Sequence, residues 1–183
     1  DLALYKWVTT AIVTEDGKTV EYPSEHTQSD KSNLVNVSIP SDKLDSVTVK
    51  FKYQIKVENE GTIPGNAVEL RDHIPDGLVF NPDDNPDWKQ IDDKTITTDK
   101  LKGTLLKTED TAEVEVVLTW VNGTKNFNTK INYAEISKDF NEWNTPDIDS
   151  KPGNMIDRFY EPEKWEDEED AVPYLLTVRT GEW

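Results

Sequence analysis

Apolar and polar residues alternate strictly from Lys50 to Glu58. One face of this stretch is entirely apolar and carries Phe51, Tyr53, Ile55 and Val57. The opposite face carries the intervening lysines, a glutamine and a glutamate. A period of two is typical of a β-strand that covers a core with one face and meets water with the other.

The same alternation recurs along the chain between short polar segments. It predicts strands at residues 1–8, 34–39, 68–74, 78–80, 94–98, 101–106, 111–121, 130–137 and 171–179. The Asp16-Gly17 pair predicts a hairpin within residues 11–21. Polar segments rich in proline, asparagine and aspartate predict two long loops, one at 22–46 that includes the short strand at 34–39 and one at 81–93. With no helical periodicity of useful length, the pattern predicts an all-β protein with an Ig-like antiparallel β-sandwich.

The character of the chain changes after residue 138. Residues 139–170 are rich in aspartate and glutamate and poor in aliphatic side chains. We therefore expect a sandwich domain over residues 1–138. Residues 139–183 should form an acidic C-terminal extension, a loop plus a final strand, that packs on the same sandwich.

Charge and composition reduce the number of possible functions. The net charge of −17 and the pI near 4.4 argue against binding nucleic acid or an anionic membrane surface. Without cysteine the fold has no disulfide. No apolar run approaches the roughly 18 residues of a membrane span, so we expect no membrane insertion. The chain starts directly in a predicted strand, which suggests a piece of a longer secreted protein.

Three polar residues stand in rows that should face the core. Lys6 lies between Leu4 and Val8 in the first strand, and Asp72 shares a face with aliphatic residues of its own strand. Asn132 faces inward if Ala134 does. A single polar residue in such a row could mean that its strand has been assigned the wrong inward face. Three polar residues of complementary chemistry form a pattern.

These three residue types can form a covalent crosslink. A buried lysine loses its charge readily, and the neutral amine is a nucleophile. A buried carboxyl group can move protons between an amine and a carboxamide. Attack of Lys6 on Asn132 with loss of ammonia would give an isopeptide bond, with Asp72 as the proton shuttle.

The sequence also resembles a known family. The Tyr53–Gly61 block reads Tyr-x-Ile-x-Val-x-Asn-x-Gly, and the Asp72–Leu78 block reads Asp-x-Ile-Pro-x-Gly-Leu. With DLALYKWV before them and INYAEIS and DIDSKPGN after, they resemble the DUF11-type conserved repeats of Gram-positive surface proteins. These repeats are relatives of the isopeptide-bonded Cna-type domains of adhesins and pilins.

The resemblance implies a Cna-type sandwich outside the cell, at the wall of a Gram-positive bacterium. It implies a stalk or adhesin repeat whose partners are neighbouring repeats of the same polypeptide and a host or matrix ligand. Family members with a complete set join a first-strand lysine to a late-strand asparagine beside an acidic residue. The matching positions are Lys6, Asn132 and Asp72.

The acidic extension suggests a calcium site. Calcium takes six to eight oxygen ligands, and the candidates are Asp147, Asp149, Asp157, Glu168 and Asp170. Their spacing is not that of an EF-hand. An acidic run is also typical of a solvated loop, and both interpretations stay open. The crosslink itself requires no cofactor.

Two other functions compete with the structural role. An enzyme acting on an outside substrate lacks support, because neither a Ser-His motif nor a cysteine is present and His73 is predicted on the solvent face of its strand. A carbohydrate- or protein-binding module could use exposed aromatics, and the candidates are Trp7, Trp88, Trp143, Trp165 and Trp183. We expect most of them to pack beneath loops.

Overall fold

The computed structural model describes residues 1–23, 34–122, 126, 128–141 and 171–180. Within these ranges the chain forms eleven strands: β1 (Leu2–Glu15), β2 (Lys18–Pro23), β3 (Leu34–Ile39), β4 (Val47–Asn59), β5 (Gly65–His73), β6 (Leu78–Phe80), β7 (Lys89–Asp92), β8 (Thr95–Thr98), β9 (Thr111–Trp120), β10 (Asn128–Asn141) and β11 (Ala171–Thr180). The helical structure in the same ranges consists of two single 3-10 turns, at Ser41–Lys43 and Pro82–Asp84.

The strands form two sheets. One has the order β2-β1-β4-β9-β6, and the other has the order β3-β11-β10-β5-β8-β7. Strand β11 runs parallel to β3, whereas the other described pairings are antiparallel. The predicted all-β antiparallel sandwich is confirmed.

One apolar cluster fills the space between the sheets. The inward row of β4 is completely buried, as its alternation predicts, from Phe51 through Val57. The row of β9 from Val114 to Trp120 is equally well covered. At roughly 25 cal/mol per Å² of apolar surface removed from water, these two central rows contribute much of the stability.

Strand β1 is longer than its first eight residues predict, because a bulge lets it continue. The pairing of β1 with β4 shifts register between Val8 and Thr10. The extra residue reverses the alternation, so even-numbered residues face the core up to Val8 and odd-numbered residues do so from Ala11. The hairpin that follows turns at Asp16 and Gly17, both with positive φ, as an Asp-Gly turn requires.

The loop after β6 closes the exposed edge of β9. Strand β6 pairs only with the last residues of β9. Beyond it, Asn85 donates to the carbonyl of Val117 at 2.8 Å and accepts from its N–H at 2.7 Å. The indole of Trp88 donates to the carbonyl of Glu115 at 2.7 Å. These side chains satisfy backbone groups that would otherwise offer an open edge.

The prediction of a strand at residues 101–106 was wrong. The segment instead makes consecutive turns, with the N–H of Thr104 donating to the carbonyl of Leu101 at 3.0 Å. Its backbone meets a strand only at an isolated bridge between Leu106 and Gly65. Leu101 and Leu106 are buried, so the apolar residues that suggested a strand anchor a loop to the end of the core.

Gly77 is expected to tolerate no side chain. Its φ is +89°, and an added Cβ would lie 2.0 Å from Oδ1 of Asn126. Asn126 cannot move freely, because its Nδ2 donates to the carbonyls of Gly77 and Val121. Gly77→Ala should therefore lower the free energy of unfolding by about 2–4 kcal/mol, as measured by urea denaturation.

The matched control is Gly103→Ala. No heavy atom lies within 4 Å of a Cβ built at Gly103. Its effect should stay within about 0.5 kcal/mol. Equal effects at the two glycines would contradict the steric account of Gly77.

Candidate functional site

The three polar residues predicted to face the core meet between the two sheets. Lys6 lies on β1 of the five-stranded sheet, whereas Asp72 and Asn132 lie on the neighbouring strands β5 and β10 of the six-stranded sheet. Asp72 pairs with Ala134, which places Asn132 on the diagonal of the same face. All three side chains are 0% exposed.

Asp72 contacts both other members. Its Oδ2 lies 2.5 Å from Nζ of Lys6, and its Oδ1 accepts a hydrogen bond from Nδ2 of Asn132 at 2.5 Å. One carboxyl group therefore holds the amine and the carboxamide side by side. The sequence predicted that these three residues would share the core, and the structure brings them together.

The surroundings of Lys6 favour its neutral form. Burial lowers the pKa of the Lys6 amine, and the charge and hydrogen bond of Asp72 oppose this effect only in part. The amine also lies over the ring of Tyr53, 4.7 Å from its centroid, and this contact, like Asp72, favours the charged form. An amine held in this apolar place can give its proton to the adjacent carboxylate and become a nucleophile.

Asn132 has a fixed orientation. Its Nδ2 donates to Asp72 and also to the carbonyl of His73 at 3.0 Å. Because both partners are acceptors, the nitrogen and not the oxygen must face them. Among the described residues Oδ1 of Asn132 has no hydrogen-bond partner. The nitrogen that would leave as ammonia is thus the atom that faces the proton carrier.

An ordinary buried ion pair is a poor explanation for this arrangement. Removing two charges from water costs several kcal/mol for each ion, which their mutual attraction offsets only with good geometry and further hydrogen bonds. A buried oxygen without a donor adds about 1–3 kcal/mol of cost. As a purely structural feature, this arrangement is therefore costly in free energy.

His73 does not meet solvent as predicted. It is 6% exposed, and its Nε2 lies 3.2 Å from Oε1 of the fully buried Glu135. Strand β5 is interior to its sheet, so Tyr133 on one side and Thr95 on the other stand next to His73 in register. The alternation gave the correct face but could not show that this face is covered.

The two described candidate tryptophans are buried rather than displayed. Trp7 is 8% exposed and Trp88 is 6% exposed, so Trp7 is covered although it lies in the odd-numbered row of β1, opposite the row of Lys6. The other three candidates, Trp143, Trp165 and Trp183, lie outside the described residues.

The predicted calcium ligands also lie outside the described residues: Asp147, Asp149, Asp157, Glu168 and Asp170. In the part of the chain that the structure describes, no three His, Asp or Glu side chains gather in a way that could hold a metal ion. The calcium site stays a prediction. None of the helical segments described is long and apolar enough to cross a membrane.

No family model matches the chain, and DUF11 membership therefore stays a prediction. No curated protein matches it either. Among solved structures the chain is similar to BslA, described as a bacterial hydrophobin, with 11% identity and a TM-score of 0.39 over 99% of this chain and 97% of that one.

Two further solved structures are similar at comparable levels. One is the pilus backbone RrgB from Streptococcus pneumoniae, with 14% identity and a TM-score of 0.36 over 74% of this chain and 51% of that one. The other is the collagen adhesin CNA from S. aureus, with 10% identity and a TM-score of 0.36 over 93% of this chain and 56% of that one. The chain spans about half the length of these two chains.

Proposed function

We propose that this protein is a structural stalk or adhesin repeat of a Gram-positive cell-surface protein, held together by an isopeptide bond between Lys6 and Asn132. The observation that carries the proposal is the buried carboxyl group of Asp72, whose two oxygens lie 2.5 Å from Nζ of Lys6 and from Nδ2 of Asn132. The sequence blocks that resemble those of surface-protein repeats support the location outside the cell.

The reaction balances within the three side chains. Asp72 takes one proton from the Lys6 ammonium, and the neutral Nζ attacks Cγ of Asn132. As the Nζ–Cγ bond forms, the carbonyl electrons move onto Oδ1. A proton passes through Asp72 to Nδ2, the Cγ–Nδ2 bond breaks, and ammonia leaves as the carbonyl reforms. The remaining proton stays on Asp72 or leaves with the ammonia as ammonium.

The bond would join the two sheets directly. It links β1 of one sheet to β10 of the other and closes most of the chain into one loop. The chain-entropy model for crosslinks gives about 5 kcal/mol for a loop of this size. This is a large share of the roughly 5–15 kcal/mol by which domains are stable, in a protein that contains no cysteine.

Intact mass under denaturing conditions tests the proposal. The wild-type chain should be lighter than its sequence by one ammonia, whereas Lys6→Met and Asp72→Asn should each have full mass. Lys138→Met is the matched control, because the side chain of Lys138 is 62% exposed and its loss should leave the mass deficit unchanged. Full mass in the wild type would refute the crosslink.

The position of the bond needs a second measurement. Asn122 precedes a glycine in the sequence, and cyclisation of an asparagine onto the next residue also releases ammonia. Digestion followed by tandem mass spectrometry should therefore recover one branched peptide that contains Lys6 and Asn132. A deficit located at Asn122 alone would count against the proposal.

The alternative is a carbohydrate- or protein-binding module. It requires aromatic side chains displayed together on the surface. Trp7 and Trp88 are both buried, and Trp88 serves instead to close the edge of β9. Among the described residues the tryptophans thus favour the structural role.

A further inference from the structure

We propose that Tyr53 takes part in the crosslinking reaction: its ring holds the Lys6 amine, and its hydroxyl donates a hydrogen bond to Oδ1 of Asn132 as negative charge develops there. This inference rests on the crosslink proposed above. It assigns a chemical role to a residue that the three-residue set does not contain.

The first observation is the position of the ring. Lys6 pairs with Ile55 across β1 and β4, and Tyr53 stands two residues along the same inward row. The Lys6 amine lies 4.7 Å from the centre of the Tyr53 ring. An aromatic face at this distance attracts a cation and gives little to a neutral amine. The ring therefore orients Lys6 while it is an ammonium. Once the amine is neutral, the ring no longer holds it back from attacking Asn132.

The second observation is a complementary pair of polar atoms without partners. Within the described structure the Tyr53 hydroxyl and Oδ1 of Asn132 are both buried and lack a hydrogen-bond partner. Such atoms are rare in folded proteins, and each costs free energy. One is a hydroxyl that can donate, and the other is a carbonyl oxygen that can accept.

Both atoms belong to the surroundings of one carboxyl group. Asp72 holds Nδ2 of the Asn132 carboxamide directly. Its charge also acts on the Tyr53 hydroxyl, where burial first and Asp72 second raise the pKa well above the ordinary value for tyrosine. The hydroxyl thus keeps its proton at physiological pH and remains a donor.

The reaction explains why the two atoms are kept without partners. When Nζ attacks Cγ, the carbonyl electrons move to Oδ1, which becomes an oxyanion within the dry core. No hydrogen bond joins the two atoms in the resting structure, and a donor that engages the oxygen only as charge develops stabilises the transition state more than the starting amide. Tyr53 donates a hydrogen bond and transfers no proton, so the proton balance through Asp72 is unchanged.

The test compares rates of crosslinking in the full chain. Protein is synthesised in a cell-free system, aliquots are quenched in denaturant over time, and the fraction that has lost ammonia is read by intact mass. Tyr53→Phe keeps the ring and removes the donor, so it should slow the reaction about a hundredfold. Tyr53→Leu also removes the ring and should be slower still.

Tyr133→Phe is the matched control. Tyr133 is another buried tyrosine; it follows Asn132 directly and belongs to the outward-facing row of β10. Removing its hydroxyl should leave the rate of ammonia loss within about twofold of wild type, because it faces away from the three reacting residues.

A second readout separates chemistry from folding. In an Asn132→Leu background, which cannot react, Tyr53→Phe should leave the urea midpoint unchanged or raise it, because a buried hydroxyl without a partner is removed. A slower reaction in an equally stable fold supports the proposal. A wild-type rate in Tyr53→Phe overturns this inference alone, whereas full mass in the wild type overturns it together with the crosslink.

Discussion

Lys6→Met is expected to lower the free energy of unfolding by about 8–10 kcal/mol. About 5 kcal/mol of this is the loop closure that the proposed crosslink would supply. A further ~3–5 kcal/mol arises from Asp72, which is fully buried. When Nζ of Lys6 is removed, one carboxyl oxygen of Asp72 stays in the core without its partner. Since the total approaches the whole stability of an ordinary domain, the variant should be largely unfolded in mild urea.

A double variant separates the two contributions. Lys6→Met combined with Asp72→Leu removes the carboxyl group as well and fills a similar volume with an apolar side chain. It should recover the 3–5 kcal/mol of the stranded carboxyl but not the part due to the crosslink. Lys138→Met, on the exposed end of β10, should unfold like the wild type. If Lys6→Met alone unfolds at the wild-type urea midpoint, neither contribution exists.

Trp120→Ala is expected to cost about 3–5 kcal/mol. Trp120 is among the largest fully buried side chains, at 1% exposure, and it ends the inward row of β9. Its indole donates to the carbonyl of Asn126 at 2.8 Å, and Asn126 in turn binds the carbonyl of Gly77. The substitution therefore leaves a cavity and also weakens the corner where β6 meets β9.

Trp120→Phe is the informative control. It refills most of the cavity but cannot make the hydrogen bond to Asn126, so it should cost about 1–2 kcal/mol. Urea denaturation measures both variants, and intact mass should show the ammonia deficit in each, because Trp120 does not belong to the reacting group. An alanine variant as stable as the phenylalanine variant would contradict a close-packed core here.

The strands were predictable because local pattern determines them. Alternation over residues 50–58 and 111–121 reports which side chains a sheet can bury, and the structure buries those side chains. The same parity placed Lys6, Asp72 and Asn132 inward. Their chemistry could then be read from residue type, since lysine, aspartate and asparagine in a core need partners.

What the pattern could not predict is what covers a face. His73 has the parity of a solvent-facing residue, yet neighbouring strands on both sides and Glu135 enclose it. Leu101 and Leu106 are buried at the end of the core. In the sequence, apolar residues that anchor a loop cannot be told from those of a short strand. Tyr53 looks like any aromatic core residue, and only the unpaired hydroxyl distinguishes it.

The order of the strands has a mechanical consequence. In the crosslinked protein, a load that stretches the chain between a point before Lys6 and a point after Asn132 passes through the covalent bond. Residues 6–132 are then shielded, while β11 and the part of β10 beyond Asn132 stay in the path of the load. Strand β11 meets β10 in antiparallel register and β3 in parallel register. A domain crosslinked in this way would extend by a fixed length at its final strand and then stop, because the covalent bond holds the remainder.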